Sequence, residues 1–148
     1  MAITTNAITN SFKKELLGAV HNFNVAPGGN TFKLAMYNSN AVLGKSTTEY
    51  TTAAEVSSPA GYTAGGKALV NTGTSVATNV AITDFGDLSF TNVTLTARGA
   101  LIYNSDATPD NEQAVCVLDF GGDKTATAGT FTIQFPTYTT AAAILRIS

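Results

Sequence analysis

The side chains that could move protons, hold metals or attack carbonyls are few. The chain of 148 residues has one His, His21, one Cys, Cys116, and ten Asp and Glu. Cys116 lies in the apolar run 114–120, with no acid–base partner beside it in sequence, so it reads as an inert core thiol. His21 closes a candidate helix and has no second His or carboxylate at metal-ligand spacing. A histidine facing the helix dipole or solvent is expected there. Asp84, Asp87, Asp106, Asp110, Asp119 and Asp123 could converge on a cation, yet no D-x-D-x-D-G loop is present. Asp, Asn and Gly at such places are also what turns require. If a cation is held at all, its place is between Asp106 and Glu112.

Two short patterns imitate catalytic motifs and fail in context. Residues 61–67 fit G-x-x-x-x-G-K, but Ala68 stands where a phosphate loop needs Ser or Thr to ligate Mg²⁺. The segment beyond Gly66 reads as a strand, so no helix N-terminus is available to meet a phosphate. Asp119-Phe120-Gly121 echoes a kinase metal loop without the other kinase segments, and reads better as a strand ending in a turn. No catalytic residue, metal ligand or cofactor is assigned, and an enzyme is the least favoured class. A hydrolase on such a chain would need two carboxylates in one cleft.

Composition points the same way. Only 12% of residues are charged, against about 25% in ordinary globular proteins. A net charge of −2, with Lys13-Lys14 the nearest approach to a basic run, argues against a nucleic-acid partner. No stretch approaches the ~20 apolar residues that span a bilayer, so no membrane partner is expected. The first residues lack the charged start and apolar middle of a signal peptide, and synthesis and assembly in a cytosol are expected. The single Cys excludes an internal disulfide framework.

The elements that must position these groups are mostly strands. Residues 1–10 are polar and read as a flexible arm. Ser11 caps a candidate helix over 11–21 that places Phe12, Leu16, Ala19 and Val20 on one face. Alternation predicts a half-buried strand at 32–37, with Phe32, Leu34 and Met36 inward. A weak strand is expected at 51–57 and others at 67–71, 76–85, 87–90, 98–104, 114–120, 129–135 and 142–147. Gly73, Asn92, Gly121-Gly122 and Pro136 punctuate them. Twenty-four threonines suit solvent-facing strand positions. The expected fold is all-β, an antiparallel β-sandwich or barrel of jelly-roll or immunoglobulin-like form, with an arm and helix at 1–22 and the sandwich at 23–148.

Residues 11–23, 31–37, 47–51, 55–56 and 61–66, followed by 96–104, 117–124 and 131–136, resemble a family of small structural proteins of tailed-bacteriophage virions. The likeness covers most of the chain, and its motifs are structural. It implies membership of a virion, as a head decoration or cement protein that bridges subunits of the major capsid protein. For such a decoration protein a homo-oligomer, a trimer, is expected. A tail or neck component, such as an adaptor or tube-associated domain, is the alternative within that class. A carbohydrate-binding module for host attachment is a rival, and Tyr50, Tyr62, Tyr103 and Tyr138 are its only candidate platforms. Phe12, Leu16 and Val20, with the arm, are the candidate assembly contacts. The competing reading packs that helix face on the chain's own strands.

Overall fold

The computed structural model describes residues 2–106 and 112–148. Eight strands and one helix follow in the order β1 (Ala7–Ile8), α1 (Asn10–Leu17), β2 (Phe32–Tyr37), β3 (Lys67–Ala68), β4 (Asn71–Ala77), β5 (Val80–Phe85), β6 (Leu88–Asn104), β7 (Gln113–Ile133) and β8 (Leu145–Ile147). They form a five-stranded sheet, β1-β7-β6-β2-β3, and a three-stranded sheet, β4-β5-β8. Every pairing is antiparallel, so the chain is all-β with one short helix.

Several expected breaks are bulges instead. Strands expected at 87–90 and 98–104 are one strand, β6, and those at 114–120 and 129–135 merge into β7. Asn92 takes a positive φ of 56° and shifts the register without ending the strand. Gly121, at φ 75°, sits where Ala97 pairs with Lys124 but Gly99 pairs with Asp119. Over that step β6 advances two residues and β7 five, so three extra residues of β7 bulge out of the pairing. The opposite error falls at 76–85. Thr78 and Asn79, at φ 49° and 65°, turn the chain between Ala77 and Val80, so one expected strand is a β4–β5 hairpin. Two successive positive φ values make the tight turn whose twist suits paired strands.

Strand β2 is central rather than half-buried. Phe32, Leu34 and Met36 join the main core with Phe85, Phe90 and Leu145, drawing on both sheets. On the other face, Ala35 and Tyr37 join Ile3, Leu43, Leu101 and Val117 in a second core. The cover on that face is the segment 38–56 together with the N-terminal residues. The weak strand at 51–57 is a loop there, holding only a bridge between Glu55 and Tyr37. Burial on both faces explains the unbroken buried runs at 34–37, 99–104 and 114–117.

The first residues are therefore part of the fold. Ile3 is 1% exposed, and Ala7 and Ile8 pair with Val117 and Cys116. Thr9 donates its N–H to the Val115 carbonyl at 3.0 Å and its hydroxyl to the Ala114 carbonyl at 3.0 Å. That hydroxyl also accepts the Phe12 N–H at 3.3 Å, so Thr9 rather than Ser11 caps α1. The helix is shorter than expected. Gly18 donates to the Lys14 and Glu15 carbonyls, Ala19 turns left-handed at φ 58°, and Val20 donates back to Glu15 at 3.0 Å.

Candidate assembly surface

The only histidine, expected to meet the helix dipole or solvent, is buried. His21 is 6% exposed, and its ring lies 4.9 Å from that of Phe12, with Phe23 and Phe32 near by. The Asn104 side-chain amide lies 3.1 Å from Nδ1, and the Glu15 carboxylate lies 2.8 Å from Nε2. The amide NH₂ can only donate and the carboxylate only accepts, so the neutral ring carries its proton on Nε2. Burial lowers the pKa below its ordinary value, opposed by the hydrogen bond and charge of Glu15. The Asn104 amide also donates to Asn30 at 3.0 Å. This chain of polar groups staples α1 and residues 22–30 to the end of β6.

Glu55 is a second hub. Tyr50 and Tyr62 donate their hydroxyls to its two oxygens at 2.6 and 2.7 Å, and the Gly65 N–H donates at 2.8 Å. The Tyr62 oxygen in turn accepts the Met36 N–H at 2.9 Å. Tyr103 donates to the Gly65 carbonyl at 2.6 Å, with its ring stacked on Tyr50 at 4.8 Å. Burial raises all three phenols, that of Tyr103 to about 12. Residues 50–66 are thereby fastened across the large sheet. Tyr62 and Tyr103 are buried, which removes two of the four candidate sugar platforms.

The remaining chemical candidates are dispersed. Cys116 is buried, and burial pushes its thiol up to about 12. Asp84 accepts the Phe85 N–H and Asp87 the Phe135 N–H, both at 2.8 Å, while Asp106 accepts the Thr31 N–H at 2.5 Å. Asp119 lies 3.4 Å from the Arg98 guanidinium. Residues 107–111, and with them most of the Asp106–Glu112 cation candidate, lie outside the described residues. Among the described residues no group of three or more His, Cys, Asp or Glu could hold a metal ion. The glycine-rich segment 61–67 is a turn: a Cβ on Gly66 would collide with the Leu34 carbonyl, and Lys67 donates to the Ser89 carbonyl at 2.9 Å. No helix among the described residues is long and apolar enough to cross a membrane.

A distinct apolar surface lies between α1 and the small sheet. Phe12, Leu16 and Phe23 face Ile82 and Leu145 across a hollow of about 410 Å³. Phe12, one of the candidate contacts, is 3% exposed and belongs to the chain's own core. Leu16 packs half-buried against that core, and Val20 is half-buried beyond the helix end. The side chains left facing water are others: Leu17 at 92% exposure, Ile147 at 59% and Ile8 at 38%, all lining this hollow. A signal for Leu17 was present, because adjacent leucines on a short helix project about 100° apart and cannot both face one core. Ile8 and Ile147 carried no such signal. Comparison with protein-family models, curated proteins and solved structures finds no match to this chain.

Proposed function

We propose that this protein is a structural subunit of a tailed-bacteriophage virion. In this reading it is a head decoration protein that assembles in the host cytoplasm. It binds as a homo-oligomer, a trimer, where subunits of the major capsid protein meet. The observation that carries the reading is the cluster of Leu17, Ile147 and Ile8 around one apolar hollow. Fully burying one such aliphatic side chain contributes roughly 1.5–3 kcal/mol, so three exposed together favour a protein partner. Repeated symmetric copies would then hold by many weak contacts formed at high effective concentration. The two sheets are read as leaves of an open sandwich around the main core, a shape suited to lying on a shell. The mechanism is adhesive and steric, with shielded seams and added buried area resisting internal pressure.

The test is oligomeric state and capsid binding. Light scattering should give a trimer, and the purified protein should sediment with emptied capsids. Leu17→Ser should leave melting unchanged and abolish that co-sedimentation. A monomer without affinity for capsids would overturn the reading.

A further inference from the structure

The hollow beside α1 is linked to two others by shared lining residues. It adjoins a second hollow of about 280 Å³ through Ile8, and that one shares Asn6, Leu118, Pro136 and Ile144 with a third of about 550 Å³. The three form one trough with a largely apolar floor. Two strands border it, β1 at the edge of the large sheet and β8 at the edge of the small one. Among the described residues each is paired on one side alone, to β7 and β5 respectively, which leaves an open edge of backbone donors and acceptors.

The trough's charge is one-sided. Lys13 and Arg146 line one end and Lys124 the other. Among the described residues none of the three has a carboxylate partner. Asp119 is the only acid in the lining among the described residues, and it already faces Arg98 at 3.4 Å. In a chain of net charge −2, this basic rim on an apolar floor is a local reversal.

We infer that the trough receives an extended, acidic segment of a partner protein, which adds to the open edge of β1 or β8. The inference rests on the assembly reading and names the chemistry of the partner. An extended chain sends alternate side chains to opposite faces, so apolar residues would fill the floor while acids between them meet Lys13, Lys124 and Arg146. Backbone pairing supplies affinity, and the cations set selectivity and speed of encounter. A small anionic amphiphile fits less well. It could fill the hollow, but it carries no backbone donors or acceptors to pair with the open edges of β1 and β8.

The test is an immobilised array of octapeptides alternating Val, Ile or Leu with Asp, Ser or Lys, probed with the labelled full chain. The Asp series should retain at least tenfold more protein than the Lys series at low salt, and the difference should shrink as salt rises. Lys13→Glu with Arg146→Glu should reverse the preference while leaving the melting temperature unchanged. Equal retention of both series, or of neither, overturns the inference; the wild-type comparison decides it even if the double variant misfolds. Saturable binding of dodecanoate with no peptide retained would make the trough an amphiphile site. A dimer dissolved by Leu17→Ser, with no peptide retained, would make a second copy the occupant. Either result overturns the inference. Capsid binding that survives the charge reversal but not Leu17→Ser would leave the assembly reading standing and remove this one.

Discussion

His21 and Asn104, 83 positions apart in the chain, meet at 3.1 Å, with the asparagine amide donating to Nδ1 of the ring. The contact sets the tautomer and makes the neutral ring part of the fold. Its pKa is lowered in the folded state. The unfolded chain therefore takes up the His21 proton first, near the ordinary value of about 6.5. Stability should be level above that pH and fall as pH drops below it, until the folded ring is itself protonated. Melting temperature against pH in wild type and His21→Leu checks this. The variant should lose that part of the acid dependence, and an unchanged profile would show the ring to be uninvolved.

Glu55→Ala should be among the more costly changes at a partly exposed position. It leaves the Tyr50 and Tyr62 hydroxyls and the Gly65 N–H without their acceptor. Hydrogen bonds to a charged group contribute about 1.5–3 kcal/mol each, reduced here by partial exposure. A net loss of about 2–3 kcal/mol is expected, read as a lower urea midpoint at unchanged m value.

The same tyrosines predict a limit at high pH. Their folded pKa values are raised, so their contribution is full below about pH 10, where the unfolded phenols begin to ionise, and is lost as pH rises further. Absorbance at 295 nm should show their ionisation arriving together with the loss of folded circular dichroism. Free titration near pH 10 in the folded protein would contradict the network.

Cys116 should not react with a thiol reagent such as dithionitrobenzoate in the native protein, and should give one equivalent in denaturant. Cys116→Ser should cost roughly 1–2 kcal/mol through a buried hydroxyl and leave the proposed capsid binding intact.

Ala19→Gly should stabilise the protein. Ala19 sits at φ 58°, where a Cβ costs about 1–2 kcal/mol, partly offset by the greater freedom of glycine when unfolded. A gain of about 0.5–1 kcal/mol is expected, measured by the urea midpoint.

Local pattern carried the element types but not their joins. The alternation of Phe32, Leu34 and Met36 marked β2, and its bounds agree at both ends. It could not reveal that Tyr37 is covered as well, because that cover comes from Ile3 and Leu43, on segments with no periodicity. Asn92 and Gly121 look like strand stops, and only long-range pairing turned them into bulges. Asn79 carried a turn signal that the surrounding β-branched residues masked. At the candidate assembly surface, Leu16 and Phe12 followed helical spacing correctly toward the core. Leu17 could be read from that spacing too, whereas the exposure of Ile8 and Ile147 goes with β1 and β8 lying at sheet edges, which spacing along one element cannot disclose.

The pairing of Ile8 with Cys116 also constrains the order of events at the ribosome. The opening residues cannot take their final place until most of the polypeptide has been made. Half-made chains therefore lack the β7 partners of Ala7 and Ile8 and the share of the Ile3 cover that comes from Leu101 and Val117. Refolding of the full-length chain and release from a stalled translation complex are thus different problems for this molecule. Only the second leaves its earliest apolar groups waiting on its latest strands.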